Sequence, residues 1–364
     1  GLNVRDLTPE IARRLGLNDT NGVVITDASG HVTWANSAYL EMCDHDLAHL
    51  QERKPSDLMD PGRRNAEQQR VLKEKLEVGE PCQTELINYD RRGRPYWVEL
   101  DMRPDHKEET GQAIAVEREV TDLHRARALQ GARRQALRGL ARADSAEAIL
   151  EAVAEELERE TVEMYVSVLS VDRQAQRLHR AAGPSLPEAY LTATDGLPVG
   201  RDVGSCGAAA WHGQRVIASD ITEHPNWRDH QDLAALSGMR GCWSQPVLDE
   251  QGEVLAVFAI YTPTPREPSQ EEIGFIERAS EITGFILENH QLQMALKERE
   301  REARELFANA PVGLWRTRED DRFLAVNPAL VEMFGYTSEA DLLTNARPSD
   351  MYADPGKRDQ LVRE

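Results

Sequence analysis

The stretch VGSCGAAAWHGQRVIASDITEHPNWRDHQDLAALSGMRGCWSQPVLDEQGEVLAVFAIY, residues 203–261, decides the fold of the middle of this 364-residue chain. It begins with a Gly/Ala-rich helix start and continues through a polar crossing loop. Residues 245–261 then read as strand, turn and strand, with apolar runs on both sides of a Gly-containing turn. A short helix, a loop and a closing hairpin in this order predict an α+β domain with an antiparallel sheet.

Two segments that resemble each other flank this stretch. Residues 22–36, GVVITDASGHVTWAN, alternate apolar and polar side chains around a Gly-containing turn, which predicts a β-hairpin. Residues 311–336, PVGLWRTREDDRFLAVNPALVEMFGY, repeat this pattern about 290 residues later. Three strand-like runs over residues 83–88, 94–104 and 112–121 follow only the first copy within the given sequence.

Composition limits the class of protein. The net charge of −20 argues against binding to the phosphate backbone of nucleic acid, which needs clustered Lys and Arg. No apolar run approaches the roughly 20 residues of a membrane helix, so we expect a cytoplasmic protein without a membrane segment. The four cysteines, Cys43, Cys82, Cys206 and Cys242, form no CxxC pair, which disfavours zinc and favours reduced thiols.

Helical segments with thin apolar stripes join these regions. Residues 123–142 carry Leu and Ala at spacings of three to four, and so thin a stripe needs a partner helix. Residues 294–306 continue the stripe of the preceding helix. The heptad positions are Phe285, Asn289, Leu292, Leu296, Arg299, Ala303 and Leu306. We expect a parallel coiled coil between two copies here, with an ordinary surface helix as the alternative.

The three regions resemble two families of sensory domain. Residues 20–122 are similar to a PAS domain, in the hairpin, the Asn36 helix cap, the NYDRRGRPYWVEL strand pair and the closing EVTD. Residues 143–293 resemble a GAF domain, in VGSCGAAAWHGQRVIASDI, GMRGCWSQPV and VFAIY. Residues 307–364 look like the first half of a second PAS domain, and residues 1–19 are predicted to form a lead-in helix.

This resemblance implies the sensory region of a bacterial signalling protein, of the sensor histidine kinase or the diguanylate cyclase and phosphodiesterase type. Such a region detects a small ligand, a redox state or a cofactor change, and passes it through dimeric linker helices to a C-terminal output domain. The sequence contains no GGDEF, EAL or H-box stretch, so we assign no catalytic residue and expect no enzyme within it. Two alternatives remain: a ligand-free dimerisation scaffold, and a GAF-type thiol enzyme similar to free methionine sulfoxide reductase, based on Gly204-Ser205-Cys206-Gly207.

In the first PAS-like domain the resemblance implies a pocket for a planar ligand. The candidate residues are Trp34, Asn36, Asn88, Trp97 and Glu117. Flavin, as FAD or FMN, is the leading cofactor, because Asn88 falls where flavin-binding members place an amide side chain. The segment QERKPSDL, residues 51–58, has no cysteine to form a flavin adduct. Haem is less favoured, because residues 65–78 contain no histidine. The alternative is that both tryptophans only fill the core.

In the GAF-like domain the candidates for a small-molecule pocket are Ser205, Cys206, Asp220, Trp227, Trp243 and Ser244. The backbone of residues 204–207 can present free N–H groups at a helix start. The sequence contains no NKxFDE-type motif for a cyclic nucleotide, no Cys-His pair for a bilin and no spaced histidine set for a metal. The alternative is that the glycines serve tight packing and that Trp243 fills the core.

Overall fold

The computed structural model describes residues 21–27, 29–51, 53–59, 65–104, 113–318 and 320–351. These residues divide into two compact units, one that ends at Leu287 and one that begins at Glu288. The first unit contains two antiparallel sheets. The predicted lead-in helix over residues 1–19 lies outside the described residues. None of the helices within the described ranges combines the length and the apolar character needed to cross a membrane.

The first domain is a five-stranded antiparallel sheet with short helices between its second and third strands. The strands are β1 (Gly22–Thr26), β2 (Val32–Ala35), β3 (Cys82–Tyr89), β4 (Pro95–Pro104) and β5 (Ala113–Glu119), in the order β2–β1–β5–β4–β3. The helices are α1 (Ser37–Cys43), α2 (Leu47–Leu50) and α3 (Ala66–Glu77), with a 3-10 turn at Pro55–Leu58. The predicted hairpin is confirmed, because β1 and β2 pair antiparallel.

Asn36 joins this hairpin to α1. Its Oδ1 accepts hydrogen bonds from the backbone N–H groups of Val23 and Tyr39, both at 2.9 Å. Its Nδ2 donates to the carbonyl of Asn21, also at 2.9 Å. One side chain therefore caps the helix and ties its start to β1, which explains why an asparagine stands at this turn.

Helix α4 (Thr121–Arg142) leads from β5 into the central domain and packs on α5 (Ala146–Glu160). Its buried stripe consists largely of small residues, including Ala128, Ala132 and Ala136. Gly139 permits the close approach, because a Cβ atom there would lie 2.5 Å from Ile149 Cγ1. The partner that the thin stripe requires is thus a helix of the same chain.

The central domain is a six-stranded antiparallel sheet with a hydrophobic core on each face. Its strands are β6 (Tyr165–Asp172), β7 (Arg177–Ala182), β8 (Leu197–Pro198), β9 (Val216–Ala218), β10 (Gly241–Leu248) and β11 (Val254–Thr262), in the order β8–β7–β6–β11–β10–β9. Its further helices are α6 (Glu188–Thr194), α7 (Gly204–His212) and α8 (Gln231–Ser237), with a 3-10 turn at Pro225–His230. One core contains residues of α4, α5 and α9 (Gln270–Asn309), and the other contains residues of α6 and α7.

The unit that begins at Glu288 contains the end of α9 and the start of the second PAS-like pattern. Its elements are β12 (Trp315–Thr317), β13 (Phe323–Val326), α10 (Pro328–Phe334), α11 (Glu339–Asn345) and a 3-10 turn at Pro348–Met351. Asn327 Oδ1 accepts from the N–H groups of Leu314 and Leu330, and its Nδ2 donates to the Val312 carbonyl. The internal repeat of the sequence therefore builds the same hairpin and cap twice.

Candidate functional site

Four polar or ionisable side chains meet in the core of the first domain, and we name them the Glu117 cluster: Tyr39, Asn88, Tyr96 and Glu117. Asn88 Nδ2 donates to Glu117 Oε2 at 3.1 Å, and both side chains are almost completely buried. Tyr96 stands directly opposite Asn88 in the β3–β4 register. Tyr39, on α1, lies close enough to Glu117 and Tyr96 for both to influence its ionisation. One helix and three neighbouring strands thus contribute side chains to the same part of the core.

Three polar atoms of the Glu117 cluster have no hydrogen-bond partner among the described residues. They are Asn88 Oδ1 and the hydroxyl oxygens of Tyr39 and Tyr96. More than about 90% of buried polar groups in native proteins are paired, and each unpaired group costs roughly 1–3 kcal/mol. The cluster therefore has one acceptor and two hydroxyls ready to pair with a group from outside the protein.

Burial sets the protonation of this cluster. It raises the pKa of Glu117 to about 7, although the hydrogen bond from Asn88 acts in the opposite direction. Burial also raises the pKa values of Tyr39 and Tyr96, and the nearby Glu117 charge adds to both shifts. For Tyr96 the adjacent Asn88 side chain acts in the opposite direction, but burial outweighs it. The two tyrosines consequently stay protonated, whereas Glu117 can gain or lose a proton near neutral pH.

The structure places the other three predicted residues of this domain elsewhere. Both polar atoms of the Asn36 side chain form hydrogen bonds with the backbone around the start of α1. Trp34 is half-buried on the edge strand β2, which β1 separates from the nearest strand of the cluster. Trp97 points away from the cluster, because side chains alternate along β4 and Tyr96 and Val98 face the core. Neither tryptophan therefore walls the Glu117 cluster.

Trp97 instead belongs to the contact between the first domain and the central domain. Its ring stacks on His124 of α4 with centroids 4.1 Å apart, and its Nε1 donates to the Glu160 carbonyl at 3.2 Å. His124 Nδ1 lies 3.0 Å from Glu160 Oε2, and its Nε2 lies 3.2 Å from Glu85 Oε2. The His124 side chain of α4 thus bridges strand β3 and helix α5.

A second buried group lies in the central domain, and we name it the Cys206 cluster: Tyr190, Cys206, Cys242, Ser244 and Tyr261. Cys206 Sγ lies 3.3 Å from Ser244 Oγ and 3.7 Å from the Tyr261 hydroxyl, and Cys242 Sγ lies 3.6 Å from Ser244 Oγ. The hydroxyls of Tyr190 and Tyr261 are 2.7 Å apart. Within the described chain, no nitrogen or oxygen of this cluster is a buried atom without a partner.

Two further predicted residues lie beside the Cys206 cluster. Trp227 Nε1 donates to Ser205 Oγ at 2.9 Å, and both side chains are buried. A cavity of about 10 Å³ is lined by Ser205, Cys206 and Trp227 together with Gly204 and Leu233. The start of α7, the 3-10 turn and the sheet therefore meet at one small internal space.

Asp220 and Trp243 do not join this group. Asp220 lies in the loop after β9, where Arg240 Nε donates to it at 3.1 Å and this partner lowers its pKa to about 2. Trp243 faces the opposite core, because Cys242 and Ser244, its neighbours on β10, face the Cys206 cluster. Its Nε1 donates to the Arg266 carbonyl, and the Arg266 guanidinium covers its ring at 4.5 Å. Asp220 and Trp243 therefore stabilise the domain at other places and do not line the cavity beside Cys206.

Comparison with known families matches three segments of the chain. Residues 18–116 match the PAS fold, residues 143–288 match the GAF domain, and residues 303–363 match a PAS domain model. A curated relative, the methyl sulfide methyltransferase-associated sensor of Methanosarcina acetivorans, is 34% identical over 202 residues. The match covers 54% of this chain and 20% of that relative, so the chain spans about a fifth of its length.

Two solved structures show a partial likeness to this chain. Free methionine-R-sulfoxide reductase from Neisseria meningitidis is 20% identical, with a TM-score of 0.39, over 48% of this chain and 93% of that chain. The LOV domain from the blue-light activated histidine kinase of Erythrobacter litoralis is 17% identical, with a TM-score of 0.25, over 27% and 94% of the two chains. Neither likeness bears on function at these scores. The family matches follow one another in the predicted order, and the chain therefore comprises a PAS domain, a GAF domain and a second PAS domain, the arrangement of a sensory region of a signalling protein.

Proposed function

We propose that the first PAS domain is the ligand-sensing domain of this region and that the Glu117 cluster binds the polar edge of a small molecule. The observation that supports this is the set of three buried, unpartnered polar atoms beside a carboxyl group that titrates near neutral pH. A ligand that pairs these atoms would remove their desolvation cost, so its binding would be coupled to the stability of the domain.

Flavin is the leading candidate for this ligand. The uracil-like edge of a flavin ring offers one N–H donor between two carbonyl acceptors. Asn88 Oδ1 is the complementary acceptor, and the hydroxyls of Tyr39 and Tyr96 are the complementary donors. A bound flavin would supply light absorption and reversible redox chemistry. The residues of the Glu117 cluster would orient its polar edge, and Glu117 would hold a proton next to it.

Signal transfer follows from the alternation of side chains along two strands. Asn88 and Tyr96 face the Glu117 cluster, and the next residue on each strand points the other way. Tyr89 donates its hydroxyl hydrogen to Glu163 Oε1 at 2.7 Å, and Trp97 contacts α4 and α5. A ligand that shifts β3 or β4 would therefore displace the start of the GAF domain through these contacts.

A second copy of the chain is the proposed partner, bound at an apolar groove between α4 and α9. The groove encloses about 280 Å³, and its side chains Leu137 and Phe285 are 60% and 45% exposed. Arg133 and Glu281 also line the groove, and neither forms an ion pair with any described residue. In a two-fold dimer the Arg133 of each copy can face the Glu281 of the other, so this patch is self-complementary in charge.

The later part of α9 adds exposed apolar side chains, Leu292, Leu296 and Leu306, at the heptad spacing of the sequence. We infer that this segment is the coiled coil that carries the signal to a cytoplasmic output domain. A histidine kinase or an enzyme of cyclic di-GMP synthesis or degradation is the proposed output. The sensor relative is about five times as long as the 202-residue segment that it shares with this chain, so it has further sequence outside that segment.

Absorbance and mass spectrometry of the purified chain test the ligand proposal. We expect a flavin absorbance band at about 450 nm in the wild-type protein, either as purified or after incubation with FMN or FAD. Mass spectrometry should detect the flavin that is released on denaturation. Asn88→Ala should abolish binding, whereas the control Gln83→Ala, an exposed amide on the same strand, should not. If wild type binds neither FMN nor FAD, flavin is the wrong ligand. If Asn88→Ala and Tyr96→Phe both bind like wild type, the site is wrong.

Sedimentation equilibrium tests the dimer. We expect Phe285→Glu to yield monomers, and Leu248→Glu, which changes a similarly exposed leucine on β10, to leave dimers. The charge variants Arg133→Glu and Glu281→Arg should each weaken the dimer, and the double variant should restore it. A wild-type chain that stays monomeric at tens of micromolar, or a double variant no better than the singles, would contradict the two-fold arrangement.

A further inference from the structure

Two of the four cysteines of this chain are brought to one place, although 35 residues separate them in the sequence. Cys206 lies on α7 and Cys242 on β10, and both are buried free thiols. Both sulfur atoms contact the same hydroxyl, that of Ser244. Each thiol therefore lies beside that hydroxyl, and each influences the ionisation of the other. The other two cysteines, Cys43 and Cys82, lie in the first domain.

The surroundings favour a negative charge on the Cys206 sulfur. Ser244 and Tyr261 can both donate to it, and the Tyr190 hydroxyl can in turn donate to Tyr261. Cys206 is also the third residue of α7, and Val203, which precedes the helix, supplies no capping side chain. Its helix therefore directs free N–H groups and the positive end of the helix dipole towards this turn.

These contacts give the two cysteines different chemical characters. The hydrogen bond with Cys242 lowers the pKa of Cys206, with smaller contributions from Ser244 and Tyr261, and these outweigh the effect of burial. Burial raises the pKa of Cys242, and the neighbouring Cys206 adds to that shift. Cys206 is thus suited to be a nucleophile, and Cys242 is a protonated thiol held next to it.

The small cavity beside Cys206 determines what can reach it. Its volume of about 10 Å³ is close to the space needed for one water molecule. Trp227, Leu169 and Leu197 give the cavity bulky apolar walls, and Ser205, Thr194 and His230 add polar side chains. A reagent of the size of hydrogen peroxide is therefore favoured over a bulky disulfide or an organic hydroperoxide.

We propose that Cys206 and Cys242 form a peroxide-reactive dithiol that closes to a disulfide between α7 and β10. The Cys206 thiolate attacks one oxygen of hydrogen peroxide, an S–O bond forms, and the O–O bond breaks to release hydroxide, which takes up a proton as water. The Cys242 sulfur then attacks the sulfenic sulfur, an S–S bond forms, and the S–O bond breaks. The Cys242 proton leaves with that oxygen as a second water.

This reaction would give the central domain a redox state that is independent of the ligand site of the first domain. The disulfide would join the start of α7 to strand β10, where at present only hydrogen bonds and packing connect them. A dithiol reductant would return the site to its starting state.

Peptide mapping of the full chain tests the proposal. Reduced protein is treated with hydrogen peroxide, blocked with N-ethylmaleimide, digested and analysed by mass spectrometry. We expect a disulfide-linked pair of peptides that contains Cys206 and Cys242 and weighs two hydrogen atoms less than the two thiol peptides together. Cys43 and Cys82 should be recovered as N-ethylmaleimide adducts. Cys242→Ser should stop the reaction at a Cys206 sulfenic acid that dimedone traps, and Cys206→Ser should remove both products.

Ser244→Ala keeps both cysteines and serves if the cysteine variants do not fold. It should slow disulfide formation, because it removes the hydroxyl shared by the two sulfurs, whereas Ser170→Ala, on β6, should not. The proposal is overturned if folded wild type yields no linked peptide, if Cys43 or Cys82 oxidises as fast as Cys206, or if Ser244→Ala oxidises at the wild-type rate.

Discussion

The Glu117 cluster and the Cys206 cluster are built from similar parts but differ in how their hydrogen bonds are satisfied. Each places two buried tyrosines near a buried ionisable group in a core that packs on an antiparallel sheet. In the Cys206 cluster the tyrosine hydroxyls pair with each other at 2.7 Å. In the Glu117 cluster, among the described residues, both tyrosine hydroxyls and one amide oxygen lack partners. The Cys206 cluster is therefore complete within the described chain, whereas the Glu117 cluster lacks partners that the proposed ligand would supply.

This difference separates two ways in which a sensory domain can respond. An incomplete cluster is stabilised when a ligand supplies the missing hydrogen-bond partners, so it responds to binding. A complete cluster gains little from a polar ligand, but its thiols can still change covalently. The comparison therefore predicts opposite effects for similar substitutions at the two places.

Glu117→Gln should produce the largest effect. Glu117 has a folded-state pKa of about 7 against the ordinary 4.5, so its contribution to stability is full below about pH 4.5 and is lost as the pH rises through about 7. The neutral glutamine should remove this loss and make the domain more stable than wild type at pH 8 by up to about 3 kcal/mol. Urea unfolding with hydrogen exchange of β5 peptides, at pH 5 and pH 8, measures this.

The matched control for this variant is Glu99→Gln, a carboxylate on β4 that pairs with Arg118 at the surface. It should keep the wild-type pH dependence of the β5 peptides. If Glu117→Gln also keeps that dependence, Glu117 is already ionised in the folded domain at pH 5.

Tyr261→Phe should destabilise the central domain by roughly 2 kcal/mol, because it leaves the buried Tyr190 hydroxyl without its partner and removes a donor to Cys206. Hydrogen exchange of β10 and β11 peptides would report the change. Tyr165→Phe is the control, since Tyr165 stands opposite Tyr261 on β6 but is half-exposed. Equal protection in Tyr261→Phe and wild type would show that the tyrosine pair contributes no stability.

Tyr96→Phe should have the opposite sign. Removing a buried hydroxyl that has no partner should stabilise the ligand-free first domain by about 1 kcal/mol. The same change should weaken ligand binding, because it removes one of the proposed donors. Exchange protection of β3 and β4 peptides, measured with and without FMN, distinguishes the two effects. Destabilisation of the ligand-free domain would mean that the Tyr96 hydroxyl is paired and that the two clusters do not differ.

The order of domains and much of the secondary structure could be predicted from the sequence because they rest on local patterns. The GVVITDASGHVTWAN hairpin, its Asn36 cap and the repeat around Asn327 depend on short-range periodicity and on one hydrogen-bonding side chain. The partner of the thin α4 stripe could not be identified, because periodicity shows that a helix needs a neighbour but not which helix supplies it. Here the neighbour is α5, and Gly139 allows the contact.

The composition of each site was predicted only in part. Asn88 and Glu117 meet as a pair, but Tyr39 and Tyr96 were missed. The turn at residues 90–93 fixes the β3–β4 register and would have placed Tyr96 opposite Asn88. Strand alternation would likewise have excluded Trp97 and Trp243. Tyr39 had no such signal, because its position depends on how α1 packs on the sheet.

Asp220→Asn should give the smallest effect and define the edge of the Cys206 cluster. Asp220 has a pKa of about 2, so the stability it contributes is present above about pH 4 and is lost only as the pH falls through about 2. The substitution keeps an acceptor for Thr222 but weakens the pair with Arg240, which should cost less than about 1 kcal/mol, equally at pH 5 and pH 8. Asp249→Asn, which weakens the comparable pair with Arg173, is the control. If Asp220→Asn changed the rate of Cys206 oxidation while Asp249→Asn did not, Asp220 would belong to the Cys206 cluster. The properties of that cluster would then depend on a charge at the surface.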